Sequence, residues 1–192
     1  MIYCPTVKDY KRLMALLSPI PEGLLELLFS RGLSIRVLRG TQDDFKSLYS
    51  KLGRMLTVYP PDTRYPHESA HFHIGAKQII MYRKDLYHSY NVPLHELGHA
   101  VDFLAHSTVS PLSEHPFIID KLSKTPHLNS YTETMDEARL GLMEHYATCF
   151  SAYFCEPVGE KLYGYHSIDE LHEETVKYFK DSIITPLENR YP

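Results

Sequence analysis

The stretch Val92-Pro93-Leu94-His95-Glu96-Leu97-Gly98-His99-Ala100-Val101-Asp102-Phe103-Leu104 carries two patterns at once. Val92, Leu94, Leu97, Val101 and Leu104 recur at helical spacing and predict an amphipathic helix over 92–105, with Pro93 in its first turn. On that helix His95 and His99 stand four residues apart, so both imidazoles leave the same face one turn apart. Two such rings can share one Zn²⁺ at ~2.0–2.1 Å. Glu96, beside the first His, is placed to take a proton from an activated water and pass it on. Gly98 weakens the helix, which predicts that another backbone, or a substrate, passes close to it.

The same spacing occurs a second time, at His67-Glu68-Ser69-Ala70-His71. In a chain with 12 His an accidental copy is easy to come by, so context decides between the two. The first copy follows Tyr65-Pro66 and runs into Phe72-His73-Ile74-Gly75, with barely two turns of room and no apolar face. The second has a full apolar face, and the metal pair is assigned to His95 and His99.

A catalytic zinc takes three protein ligands and leaves one position open. The third ligand is sought on the predicted helix 135–154. Glu137 and Glu144, seven residues apart, fall near one face, and His145 is a third option. Glu144 opens the apolar and aromatic run Glu144-His145-Tyr146-Ala147-Thr148-Cys149-Phe150-Ser151-Ala152-Tyr153-Phe154. A carboxylate in that setting wants a metal partner, because burying it alone is costly. Spacing ranks Glu144 first and leaves all three open.

Outward from this core the chain reads as helices and a small sheet, followed mostly by helices. Thr6 caps a helix through Leu17 with Val7, Tyr10, Leu13, Met14 and Leu17 on one face. Pro21-Glu22 opens a second helix that Arg31-Gly32 closes. Ile35 and Val37 alternate in a strand over 33–38, and a strand pair flanks Gly75 between Phe72 and Tyr82. Short helices are expected over 41–51 and 114–123, a loop over 59–66, and a last helix over 167–184. The class is α+β. The expected organisation is one catalytic domain over 1–192, with an α/β lobe to about residue 90 and a helical lobe after it.

Composition narrows the remaining classes. A net charge of -4 over 192 residues carries no nucleic-acid footprint. Cys4, Cys149 and Cys155 form neither a disulfide framework nor a Cys-only zinc site and read as small buried hydrophobes. No apolar run reaches the length of a membrane span, and the N-terminus lacks a basic stretch followed by an apolar one. The expectation is a soluble, monomeric protein with no nucleic-acid or membrane partner, cytoplasmic as the chain is written, with its compartment left open to another export route.

At this point the residues resemble the lethal-factor-like metallopeptidases, the family of the anthrax lethal factor catalytic domain and the secreted Pro-Pro endopeptidases. The 92–102 segment, including Ala100-Val101-Asp102 after the second His, is similar to the family's active-site helix. The run from Glu144 is similar to the helix whose first Glu is the third zinc ligand. Leu128-Asn129-Ser130-Tyr131 is similar to the segment whose Tyr hydrogen-bonds the oxyanion. The resemblance implies a zincin-like domain, one catalytic Zn²⁺ on His95, His99 and Glu144, Glu96 as general base and Tyr131 as oxyanion donor. The chain departs from the pattern at Thr148, where the family has a second Glu, in a longer segment between Tyr131 and Glu144, and in the missing signal peptide.

The expected activity is that of a zinc endopeptidase on an extended peptide or protein substrate. That substrate is expected to pair with an exposed sheet edge formed by Gln78, Ile79, Ile80, Met81 and Tyr82. Three rivals remain: an intracellular HExxH protease acting on one repressor-like target, a non-catalytic relative that binds a peptide strand, and a structural protein with an accidental motif.

Overall fold

The structure, a computed structural model, describes residues 1–39, 70–87, 91–105, 120, 135–155 and 168–190, with the backbone alone for 135–141 and 190. Within them the chain is α+β, a small sheet with mostly helical surroundings. Four strands form the sheet: β1 (Ile2–Tyr3), β2 (Ser34–Leu38), β3 (His71–His73) and β4 (Gln78–Tyr82). The spatial order is β1-β2-β4-β3. β1 and β4 run parallel to β2, and β3 runs antiparallel to β4.

This topology corrects the expected edge. Gln78–Tyr82 is an interior strand, paired with Ser34–Leu38 on one side and His71–His73 on the other. Ile79, Ile80, Met81 and Tyr82 are all buried. Such a continuous apolar run belongs to a strand covered on both faces. Among the described residues the edge beside β4 is β3, which a four-residue turn at 74–77 joins to it.

Helix α1 (Val7–Leu17) starts at Thr6, whose Oγ1 accepts from the Asp9 N–H at 3.1 Å. Its buried face is set by Asp9, Leu13 and Leu17. Val7 and Tyr10, expected on that face, are exposed. The reason is polar: Asp9 is turned inward by Thr6 and by Arg83, whose Nε donates to Oδ1 at 2.9 Å. Helix α2 (Glu22–Ser30) follows Pro21 and buries Leu24 and Leu28. Gly32 then takes φ 95°, a left-handed conformation that lets the chain turn directly into β2. Among the described residues no single helix is long and apolar enough to cross a membrane.

A 3₁₀ turn, Arg83–Tyr87, leads from β4 towards helix α3 (Val92–Leu104). Asn91 caps α3, accepting from the Leu94 N–H at 3.2 Å and donating from Nδ2 to the Leu16 carbonyl at 3.1 Å. Leu94, Leu97 and Val101 are fully buried, and Leu104 nearly so, as the periodicity predicts. Burying each such side chain stabilises by roughly 1.5–3 kcal/mol, which anchors the helix while its polar face stays free for chemistry. Arg31 donates from Nη1 to the Leu104 carbonyl at the far end.

Helix α4 (Met135–Phe154) has the predicted bounds. It lies against α3 in the most extensive helix contact among the described residues. The last predicted helix is broken instead: a 3₁₀ turn at Ile168–Glu170, then α5 (Glu173–Phe179), a π turn at Lys180–Ile184 and α6 (Thr185–Arg190). The π turn sits just before Pro186, which has no N–H to continue the regular ladder. The expected helices at 41–51 and 114–123 and the loop at 59–66 lie outside the described residues, apart from Asp120.

Candidate metal centre

α3 and α4 cross at Gly98 and Ala147. A Cβ built on Gly98 would stand 2.8 Å from the Ala147 Cα and 3.1 Å from its carbonyl oxygen. The predicted close approach is therefore a helix backbone. Gly98 is one turn beyond His95, and Ala147 one turn beyond Glu144, so this contact brings the polar faces of the two helices together.

The result is a convergence of three side chains. His95 Nε2 stands 3.0 Å from Glu144 Oε2, and His99 Nε2 stands 3.3 Å from Glu144 Oε1. The imidazoles lie edge to face, with centroids 4.9 Å apart. One donor atom from each of His95, His99 and Glu144 lies within 4.8 Å of the other two. Glu144 thus joins the His pair, as the spacing ranks it. His145 turns away into the interior, where its Nε2 is 3.9 Å from Cys149 Sγ. The Glu137 side chain lies outside those described.

The donor set fits a divalent ion of the zinc type. Two nitrogen ligands and one carboxylate oxygen are a catalytic zinc set with one position left over. Donors each ~2.0–2.1 Å from one ion in tetrahedral array stand roughly 3.3 Å apart, close to the separations seen. Electrostatics agree. Burial alone would raise the Glu144 carboxyl, but the His99 charge and bonds from both imidazoles outweigh it and hold Glu144 well below the usual carboxylate range. Burial would lower His99, yet Glu144 and then Asp102 raise it instead. The ionised Glu144 suits a cation, which the two imidazoles can bind only in their neutral form.

Glu96 stands beside this group and is 6% exposed. Its carboxyl accepts from the backbone N–H of Phe72 on the edge strand β3, while Oε2 is buried with no hydrogen-bond partner among the described residues. Burial pushes its pKa up to about 8, against the opposing pull of His95. A divalent cation beside it would draw this value back down. Phe72 also meets Phe103 of α3 at 6.0 Å between centroids, which fixes β3 over the helix that carries the two His residues. Nothing local in the sequence marks the Phe72 N–H as part of the site. Tyr131, expected as oxyanion donor, and His67 and Glu68 of the first copy lie outside the described residues. His71 of that copy is in strand β3, not on a helix.

No protein-family model matches the chain. No curated protein matches it either. Among solved structures, the chain is similar to the Pro-Pro endopeptidase from Paenibacillus alvei, at 18% sequence identity and a TM-score of 0.54. The match covers 99% of this chain and 94% of that one, so it is a likeness of the whole fold.

Proposed function

We propose that the chain is a zinc-dependent endopeptidase, acting as one catalytic domain. The observation that carries this reading is the convergence of His95, His99 and Glu144 beside the buried, half-satisfied carboxyl of Glu96. The likeness of fold to a Pro-Pro endopeptidase supports it. When bound, zinc on those three residues would supply Lewis acidity to the scissile carbonyl and the attacking water. Glu96 takes the proton from that water as it attacks and returns it to the leaving amine. Tyr131 donates its phenol hydrogen to the developing oxyanion. The substrate runs extended along β3, not β4, because β3, unlike β4, has an open side among the described residues and, unlike the other edge strand β1, touches Glu96 through the Phe72 N–H.

The test is metal content of the purified protein together with cleavage of a peptide library, including Pro-rich members, by wild type and Glu96→Ala. Stoichiometric zinc with cleavage abolished in the variant is the expected result. Full activity in a zinc-loaded Glu96→Ala protein would remove Glu96 from the role of base. A second reading, a strand-binding relative without catalysis, draws on Thr148. This residue is buried one turn beyond Glu144 and has no charge to orient a ligand. Bound metal with no cleavage of any library member would favour it.

A further inference from the structure

Two half-buried aromatic rings stand beside the donor group without belonging to it. On α3, Glu96, His99 and Phe103 follow one another at spacings of three and four, so they share one side of the helix. A helical Cα–Cβ bond leans towards the N-terminus, which lays the Phe103 ring back over the turn that carries His99. The second ring comes from β3. Phe72 pairs with Ile79 of β4, so the two side chains leave the same face of the sheet. The Phe72 and Phe103 rings meet at 6.0 Å between centroids, tilted by 44°.

The pair is covered on one side only. Both rings pack against the core, yet both stay partly exposed, while Ile79 opposite Phe72 is fully buried. The donor group is open as well, with the Glu144 side chain 31% exposed. Apolar surface left open beside a few polar groups is the make-up of a ligand site. On β3 the two meet at one residue, because the N–H of Phe72 bonds the Glu96 carboxyl while its ring touches Phe103.

Reach and chemistry narrow the occupant. Four residues along α3 are ~6 Å, and the lean of Phe103 shortens that distance from its ring to His99. A substrate side chain next to a carbonyl held at the donor group spans such a gap. Neither ring offers a charge or a strong hydrogen bond, so a charged side chain placed there would lose hydration for nothing. A large apolar side chain would instead cover the open sides of both rings.

We propose that Phe72 and Phe103 are specificity-determining residues: together they wall a subsite that takes a large apolar side chain, aromatic or branched aliphatic, from a residue flanking the scissile bond. The proposal rests on the endopeptidase reading above and names the substrate class for it.

The test pairs enzyme variants with substrate variants. Wild type is first profiled on a randomised peptide library, where a large apolar residue is expected at one of the two positions flanking the cut. The preferred peptide is then compared with its copy carrying Ala at that position. F103A should lose roughly 10–100-fold in kcat/KM on the apolar peptide and far less on the Ala peptide, with zinc content unchanged. F72A should show the same split. Equal losses on both peptides, or none on either, overturn the proposal, since a ring that only supports the fold slows every substrate alike. If F103A does not fold, F103L carries the comparison, with a smaller split expected and its absence overturning the proposal in the same way. A wild type that cleaves peptides without preferring a large apolar residue at either position overturns the subsite and leaves the endopeptidase reading standing. A zinc-loaded wild type that cleaves no library member overturns both, so the two failures read differently.

Discussion

Gly98 lies against the backbone of Ala147 so closely that a single methyl group would have no room. The contact sets how near α3 comes to α4, and hence how near the His pair comes to Glu144. Gly98→Ala opposes two effects. Alanine gains about 1 kcal/mol of helix propensity over glycine. Against it, a Cβ 2.8 Å from a backbone atom cannot be relieved by a side-chain rotation, and overpacking of that kind costs about 1–3 kcal/mol. The expected outcome is a net loss in chemical denaturation, together with weaker metal binding as the helices part. A variant more stable than wild type with unchanged affinity would show that the crossing is not tight.

Removing the metal should lower stability, because the ion binds the folded donor group and not the unfolded chain. At free metal a thousandfold above the dissociation constant the stabilisation is about 4 kcal/mol. Thermal unfolding with and without chelator measures it. Glu144→Ala should abolish the chelator-sensitive part and leave two imidazoles without their carboxylate. A Glu144→Ala protein that still binds one zinc with wild-type affinity would move the third ligand elsewhere, with Glu137 next in line.

Glu96→Gln separates binding from chemistry. Glutamine keeps the size of the side chain and can still accept from the Phe72 N–H, but it cannot take a proton. Metal affinity should stay within a few-fold of wild type, and cleavage should fall by roughly 10²–10⁴. The same variant should be at least as stable as wild type in its metal-free form, since a buried carboxyl with an orphaned oxygen is replaced by a neutral amide. A parallel loss of metal would mean that Glu96 supports the ligands instead of the reaction.

The donor group was legible because its pattern is local. His95 and His99 follow from helical spacing, whereas the place of Glu144 at the head of an apolar run only ranked it ahead of Glu137 and His145. Gly98 announced a close approach, and Ala147 met it. The sheet was misread at its edge for a physical reason: Ile79-Ile80-Met81 is the strongest strand signal, and strength of that kind marks a centre strand, whereas the polar and histidine-rich β3 lies outside it among the described residues. The Phe72 N–H on Glu96 leaves no trace in any single window, because it depends on elements that meet only after folding. The exposed Val7 and Tyr10 show the same limit, since a distant Arg83 decides which face of α1 turns inward.

That Asp9 contact gives the fold its own acid sensitivity, away from the metal centre. The Asp9 carboxyl is held below its usual range first by the Thr6 hydroxyl, which donates to Oδ2 at 2.7 Å, and then by Arg83 against the opposing effect of burial. A group with a lowered folded pKa contributes stability above its unfolded value of about 4 and loses it as pH falls through the folded value. Wild type should therefore lose this contribution on acidification below about pH 4. Asp9→Asn removes it at every pH and should cost about 1 kcal/mol at neutrality, at the low end for a charge-assisted hydrogen bond because half-exposed Arg83 is screened by solvent. Urea titrations of the metal-free proteins should show the wild-type and Asp9→Asn curves separate at pH 7 and converge towards pH 3. Working on metal-free protein keeps the protonation of the ligands from entering differently in the two chains. A gap that stays constant from pH 7 to pH 3 would assign the cost of the substitution to lost packing at the start of α1, and not to the charge on Asp9.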